Sequence, residues 1–197
     1  INCLYYFSYI ENIEHIFRYG ILSKNEVERQ KINYKSFADE SVQSLRHEKR
    51  IKITDGKFYC LHDLVPLYLT PHTPTLWVRK EYQDNIFFAV VESFVLIDQN
   101  IEYAFCDGNA ANRETKFYYS LNKLNLMPWD VIRAKYWRDF EDGKRKRNSE
   151  FLIYPKVPIK RIWKFVVNNI NSKESIDKIK QNYDINIEVK IESSFFF

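Results

Sequence analysis

The order of the strand and helix signals most constrains the fold of this 197-residue chain. A strand signal at residues 4–7 is followed by a helical pattern that ends at Gly20. Later strand signals follow one another without a helix between each pair. Regular strand and helix alternation is typical of doubly wound parallel sheets, so its absence favours the α+β class. We expect a single domain, residues 1–197.

Local patterns predict the individual elements. Ser8 and Glu11 match the capping box that opens a helix. Asp55 and Gly56 mark the turn of a hairpin. Strand signals lie at 86–91, 94–97, 151–154, 162–167 and 185–191. Helical spacing lies at 115–124, 128–136 and 173–181. These patterns describe a mixed fold with helices outside a sheet.

The composition excludes several classes of protein. Four glycines stand isolated, so neither the dinucleotide fingerprint nor the P-loop can be built from them. The chain is 45% hydrophobic and 28% charged, which suits one well-packed domain. Apolar stretches such as 86–91 are too short to span a bilayer. We therefore expect a soluble, cytoplasmic protein that makes no contact with membranes.

Cysteine and histidine usage indicates neither disulfides nor metal chemistry. The three cysteines, Cys3, Cys60 and Cys106, are odd in number and far apart, which suits a reducing compartment. No cysteine or histidine pair has metal-ligand spacing, and no Gly-x-Ser-x-Gly elbow is present. We expect no bound metal and no acyl-enzyme intermediate.

The charge is unevenly distributed. The net charge is +4, and basic residues cluster at 46–52 and 144–147. Such clusters are often only solvated faces. In a chain that is 17% aromatic, they also fit a nucleic-acid ligand, because phosphates need cations and bases need ring faces. The four tryptophans, at 77, 129, 137 and 163, are more typical of a core than of base stacking.

Glu150 heads a strand signal directly after the second basic cluster. A strand would hold its carboxylate still enough for chemistry, and a mobile cationic loop beside it would attract a polyanion. An acidic residue at a strand start is by itself weak evidence for catalysis. We expect this carboxylate to be partly exposed, so that Glu150→Ala abolishes activity without unfolding the chain.

Ordered sequence blocks resemble the DarT family of DNA ADP-ribosyltransferase toxins. Two blocks are quite specific, the Leu-His-Asp-x-Val-Pro stretch from Leu61 and the Asp-Gly-Asn-Ala stretch from Asp107. The matching blocks are residues 4–8, 20–23, 42–46, 61–71, 74–76, 105–111, 118–122, 129, 149–152 and 195–197. The resemblance covers nearly the whole chain. It implies an ADP-ribosyltransferase-like fold with a central split β-sheet and a closing helix and strand at 170–197.

The resemblance implies an enzyme that cleaves NAD and attaches ADP-ribose to thymine or guanine in single-stranded DNA. Glu150 is the implied catalytic carboxylate, because a carboxylate can orient the ribose and stabilise an oxocarbenium-like state. Arg46 is the second implied catalytic residue. A guanidinium stays protonated, so we expect it to clamp and position rather than remove a proton. Arg50 is a nearby competitor for this role.

The resemblance also implies the residues that bind NAD. They are Tyr6, Phe7, Ser8, His15, Ser23 and Arg46. Many relatives have His where Tyr6 stands, and tyrosine keeps ring stacking but loses the imidazole geometry. Ser8 has two readings, a pocket residue or a helix cap, and both can hold because a helix N-terminus attracts phosphate.

A substrate loop at 139–149 is the implied DNA-binding segment. Its binding residues are Lys144, Arg145, Lys146, Arg147 and Asn148. The resemblance further implies a cognate antitoxin that reverses the modification or neutralises the enzyme, and we expect the chain to be a monomer. Two alternatives remain open from the sequence. The acceptor could be RNA, or the chain could be a catalytically silent nucleic-acid-binding module.

Overall fold

The computed structural model of the chain describes residues 2–37, 40–54, 56–93 and 101–197. The strands are β1 Cys3–Tyr9, β2 Ile21–Leu22, β3 Arg50–Lys52, β4 Phe58–Cys60, β5 Val65–Tyr68, β6 Ile86–Glu92, β7 Glu102–Cys106, β8 Phe117–Tyr118, β9 Glu150–Tyr154, β10 Lys156–Val157, β11 Ile162–Val167 and β12 Glu188–Ile191. The α-helices are α1 Ile13–Tyr19, α2 Lys24–Arg29, α3 Glu40–Glu48, α4 Pro74–Trp77, α5 Trp129–Arg133, α6 Gly143–Arg147 and α7 Ile170–Lys180. Short 3-10 helices lie at Ile10–Asn12, Leu61–Asp63, Lys80–Asn85, Leu121–Leu126, Trp137–Asp139, Ile159–Arg161 and Ser193–Phe195.

Among the described residues, eight strands form one sheet in the order β12-β11-β6-β1-β5-β9-β7-β8. Neighbouring strands are antiparallel, except that β12 runs parallel to β11. Antiparallel pairing with few helical crossovers is the arrangement of an α+β fold. The predicted fold class, a single domain with a large central sheet and flanking helices, is therefore confirmed.

The sheet is split between β1 and β5. These strands pair only at Tyr5 and Tyr68, whereas β1 pairs with β6 along its full length. Pro66 of β5 has no N–H group and so donates no ladder hydrogen bond to either neighbouring strand. A cleft opens beyond the single pairing, and residues of both strands line it.

Packing on both faces of the sheet explains its apolar strands. In β6, Phe87 and Ala89 pack on the face that also contacts α1 and α7. Phe88 and Val90 belong to a second cluster on the other face. Successive side chains of a strand point to opposite faces, so a strand buried on both sides reads as a continuous apolar run. The strand at residues 86–91 could therefore be predicted from its continuous apolar run.

Most predicted elements are confirmed. The opening strand and helix form, and Gly20 ends the helix with a φ of +79°. β3 and β4 form the hairpin. β6, β9, β11 and β12 occupy four of the predicted strand regions, and α7 matches the predicted helix with its start at Ile170. The strand predicted at 94–97 lies outside the described residues.

Two predictions about secondary structure are wrong. Residues 117–118 form β8, which pairs with β7, and a 3-10 helix follows in place of the α-helix predicted at 115–124. Ser8 is no helix cap, because pairing with β6 extends β1 through Tyr9 and no side chain caps the first helical turn. The helix predicted at 128–136 is shorter than expected and ends at Arg133.

A search of the described residues for a helix that is both long and apolar enough to cross a bilayer finds none.

Candidate active site

Glu150 is a buried carboxylate in the interior of the sheet. It is the first residue of β9 and lies between Tyr68 of β5 and Cys106 of β7. Only 2% of it is exposed, so the expectation of a partly exposed side chain is wrong. Its Oε1 accepts a hydrogen bond of 2.9 Å from the Ala110 backbone N–H. The sheet and this bond hold the carboxylate in one position.

Arg46 is the charged partner of Glu150. It lies in the last turn of α3 and is 9% exposed. Its Nη1 donates to Oε2 of Glu150 at 3.0 Å and to Oε1 at 3.3 Å. Burial alone lowers the pKa of Arg46, but the Glu150 carboxylate outweighs it and the net direction is upward. Arg46 therefore stays protonated, whereas Arg50 is an exposed residue of β3.

Among the residues that the structure describes, one nitrogen of Arg46 has no hydrogen-bond partner. Its Nη2 is buried and makes no hydrogen bond, and Nε2 of His62 is in the same condition. Both residues line the same cavity. Leaving a charged donor buried without an acceptor is costly, so this wall of the cavity suits a ligand with acceptor oxygens.

The two residues that flank Glu150 in the sheet stay neutral. Burial, together with the Glu150 carboxylate, raises the pKa of Tyr68 to about 12. The same two causes raise the pKa of the Cys106 thiol. A thiol must ionise to act as a nucleophile. Cys106 is therefore not suited to covalent catalysis, and Glu150 is the charged acceptor at this position.

Glu150 and Arg46 line a cleft of about 580 Å³, a size typical of small-molecule sites. A smaller cavity of about 190 Å³ adjoins it. The shared lining residues are Tyr6, Ser8, Tyr34, Ser36, Gln43, Arg46 and Pro66. The two spaces therefore meet at the split in the sheet, above the buried ion pair.

The predicted NAD-binding residues are mostly brought together here. Tyr6 and Ser8 line both spaces, Phe7 lines the cleft and His15 lines the smaller cavity. Ser23 lines neither. It is 2% exposed and caps α2 by accepting a hydrogen bond from the backbone of Glu26. Its role in the structure is that of a helix cap.

Asn12 anchors one wall of the cleft and was missed in the sequence. Its amide nitrogen donates to Oγ of Ser8 and to the carbonyl of Lys35, and its amide oxygen accepts from the Lys35 N–H. The ring of Phe37 stacks on Tyr9, with centroids 3.9 Å apart. These contacts tie residues 34–37 to β1. No local pattern signals a bond across 23 positions of sequence.

The loop after β7 aims a backbone donor at Glu150. Asp107 and Gly108 form a bend directly after β7. A side chain at Gly108 would lie 2.4 Å from a nitrogen of Arg145, so only glycine fits here without displacing it. Arg145 in turn bonds Asp107 at 2.9 Å. This packing fixes the Ala110 N–H that Glu150 accepts.

The basic cluster is a short helix, α6, and not the mobile loop expected. Lys144 is exposed and lines the cleft. Arg145 is held by Asp107 and Asp142. Lys146 is half-buried and donates to the Glu141 carbonyl. These contacts reduce the charge available to a ligand.

Arg147 and Asn148 are both buried. Arg147 is 4% exposed, and its guanidinium donates to the carbonyls of His72, Val131, Ile132 and Ala134. This structural role differs from the expected contact with nucleic acid, because Nε and Nη1 already donate to four backbone carbonyls. Asn148 accepts hydrogen bonds from Thr75 but still lines the cleft.

Three possible metal ligands meet beside Arg46, although their sequence spacing gave no such signal. The donor atoms of His47, Cys60 and His62 all lie within 4.8 Å of one another. The thiol of Cys60 donates to the carbonyls of Arg46 and His47. Burial, with the charges of Lys24, Arg46 and His47, lowers the pKa of His62 to about 4. The positive charges of Lys24 and Arg46 also oppose a cation, and we assign no metal here.

The sequence matches one protein family over most of its length. The family model described as "ssDNA thymidine ADP-ribosyltransferase, DarT" matches residues 5–197. A DNA ADP-ribosyl transferase of Thermus sp. (strain 2.9) is 26% identical over 188 residues, covering 91% of this chain and 88% of the relative. A DNA ADP-ribosyl transferase-DNA ADP-ribosyl glycohydrolase fusion protein of Thermosipho africanus (strain H17ap60334) is 30% identical, covering 98% of this chain and 49% of the fusion.

Solved structures share the fold. Thermus sp. 2.9 DarT in complex with ADP-ribosylated ssDNA superposes with a TM-score of 0.90 at 23% identity, covering 100% of this chain and 96% of that one. Thermus sp. 2.9 DarT in complex with NAD+ gives a TM-score of 0.83 at 22% identity, covering 100% and 98%. The fold of this chain is thus a known architecture.

Proposed function

Because this chain belongs to the DarT family of DNA ADP-ribosyltransferases, we propose that it transfers ADP-ribose from NAD to a base of single-stranded DNA. The observation that carries the proposal is the buried pair of Glu150 and Arg46 in the wall of the cleft. Thymine is the first acceptor to consider, since the family description names thymidine. Guanine is the second.

NAD would occupy the cleft and the adjoining cavity. Nη2 of Arg46 supplies a free charged donor for a phosphate or ribose oxygen, while Nη1 holds Glu150. Tyr6 would stack on a ring of the ligand. The solved Thermus relative binds NAD+ in the same fold. Arg46 thus acts as a positioning group whose charge is already balanced.

Glu150 would act on the ribose. Each carboxylate oxygen can accept more than one hydrogen bond, so its present bonds leave capacity for a ribose hydroxyl. Breaking the nicotinamide–ribose bond creates positive charge on the sugar, and a fixed carboxylate stabilises that charge. Nicotinamide leaves as a neutral molecule with the electrons of the broken bond, the acceptor atom of the base attacks the anomeric carbon, and the base releases its proton to water. The chain's main contribution is a preorganised negative charge.

DNA would enter past Lys144. This exposed cation lies at the cleft, and Asn148 and Asn109 line the same space. Phosphate contacts position a strand and make binding salt-dependent. An enzyme that acts on one base must take it out of the stack, which is easiest in single-stranded DNA.

A partner that removes the modification would complete a toxin–antitoxin pair. The Thermosipho relative joins a transferase to a DNA ADP-ribosyl glycohydrolase in one chain, and the present chain covers 49% of it. We propose a separate or fused glycohydrolase as the cognate antitoxin of this chain.

Intact-mass measurement tests the proposed acceptor. The purified chain is incubated with NAD and with three single-stranded oligonucleotides, one lacking thymine, one lacking guanine and one made of RNA. A gain of one ADP-ribose on all DNA except the thymine-free strand supports thymine as acceptor. Modification of RNA alone contradicts a DNA acceptor. DNA binding without any mass gain would indicate a silent binding module.

A further inference from the structure

An aromatic groove lies at the C-terminal end of α4. We define it by Trp77, Tyr136, Trp137 and Phe197. The ring of Trp77 is 5.0 Å from that of Phe197 and 6.3 Å from that of Trp137. The groove encloses about 510 Å³. Four aromatic side chains from three separate chain segments thus meet around one open space.

The aromatic groove is open to water. Tyr136 is 56% exposed and Phe197 is 42% exposed, while Trp77 and Trp137 are half-buried. The expectation that these two tryptophans belong to the core is therefore wrong. Clustered apolar rings at a surface usually mark an interaction site, whereas single exposed rings need no explanation.

Cations surround the aromatic groove. Lys80 lies 4.7 Å and Arg138 lies 5.9 Å from the ring centre of Trp77. Lys135 lies 5.2 Å from that of Tyr136. One carboxylate, that of Asp139, lines the same space. Ring faces with cations around them match unpaired nucleotides, which offer bases to stack and phosphates to pair.

The groove is connected to the candidate active site. Thr75 of α4 lines the cleft, and Trp77 of the same helix lines the groove. Arg147 lines the groove and precedes Glu150 by three residues. Three peptide units span at most ~11 Å, about three nucleotides at the stacked spacing. A strand that leaves the cleft can therefore reach the groove after a few nucleotides.

We propose that the aromatic groove binds unpaired bases that flank the acceptor nucleotide. The inference rests on the proposed transfer to single-stranded DNA and adds a second binding surface for the same strand. Stacking on ring faces tolerates any base, so the groove would add affinity with little sequence preference. Its cations would pair with the phosphates between the stacked bases.

Steady-state kinetics on two oligonucleotides tests the groove. One is the shortest single strand that the wild type modifies, and the other is the same strand extended on both sides. Tyr136→Ala removes an exposed ring, so the fold should tolerate it. We expect KM for the extended strand to rise about tenfold, with kcat unchanged and with no effect on the short strand.

Trp163→Ala is the matched control. Trp163 is 55% exposed and has Lys164 4.9 Å from its ring centre, but it lies on β11 in the other half of the sheet. Equal kinetics for Tyr136→Ala and this control would overturn the groove proposal while the transfer stands. No transfer to either oligonucleotide by the wild type would instead overturn the proposed function.

Discussion

Nη1 of Arg46 lies 3.0 Å from Oε2 of Glu150, across 104 positions of sequence. Arg46 is 9% exposed and Glu150 is 2% exposed, so both side chains are shielded from bulk water. The ion pair joins the last turn of α3 to the first residue of β9. It therefore links the fold to the proposed chemistry, because the Glu150 carboxylate raises the pKa of the buried Arg46 guanidinium and Arg46 holds that carboxylate in place.

Breaking this ion pair should destabilise the chain. Arg46→Ala or Glu150→Ala leaves one buried charge uncompensated, so each should lower the free energy of unfolding by about 3–5 kcal/mol. The earlier expectation that Glu150→Ala leaves the fold unaffected changes accordingly. The double variant Arg46→Met with Glu150→Leu should be more stable than either alanine variant. Urea unfolding measures all of them, and a double variant no more stable than the alanine variants would contradict this expectation.

Substitutions of Lys144 and Arg147, two residues of α6, should have different effects, the first on DNA binding and the second on stability. Lys144→Ala should weaken DNA binding and reduce its salt slope by about one, with stability unchanged within about 0.5 kcal/mol. Arg147→Ala leaves carbonyls unpaired and should cost roughly 3 kcal/mol or more of stability. Fluorescence anisotropy at several salt concentrations and thermal unfolding measure the two effects. A reversed pattern would refute these assignments.

Asn12 should position the wall of the NAD cleft. Asn12→Ala removes three hydrogen bonds that hold Ser8 and the segment 34–37. We expect KM for NAD to rise about tenfold and kcat to change less, because binding loses preorganisation while the ion pair stays intact. The control is Asn171→Ala, in the first turn of α7. If kcat falls and KM stays constant, Asn12 has a different role.

Tyr68 should make stability fall at high pH. Its pKa is about 12 in the folded chain and ~10 when unfolded. The unfolded chain loses the proton first, so stability is lost as the pH rises from about 10 to 12. Tyr68→Phe lacks this titration and should lose less stability over that range. Urea midpoints between these pH values provide the test, and parallel curves for both proteins would argue against it.

Local sequence patterns predicted those elements whose conformation depends mainly on their own residues. β6, β9 and β11 are apolar runs, and Gly20 ends the first helix because it can adopt a positive φ. The resemblance to the DarT family predicts that Glu150 and Arg46 belong to one site, and the two side chains are in contact in the structure. Such signals are carried by neighbouring residues or by motif spacing.

Long-range contacts decided the rest. β8 forms because β7 offers an edge to pair with, which its own sequence does not reveal. Arg147 is predicted from the sequence to bind nucleic acid, whereas in the structure its guanidinium donates to four backbone carbonyls. The burial of Glu150 likewise follows from β5 and β7 lying on either side. These partners are distant in sequence, so no local pattern could show them.

The catalytic role of the Glu150 carboxylate is tested most directly by the single-turnover rate at which the Glu150→Gln variant transfers ADP-ribose to a thymine-containing single strand. Glutamine keeps the shape but removes the charge, and thermal unfolding together with NAD binding verifies that the variant is folded. We expect the Glu150→Gln variant to transfer ADP-ribose at least ~100-fold more slowly than the wild type. A folded, NAD-binding Glu150→Gln variant that transfers ADP-ribose at the wild-type rate would contradict this catalytic role.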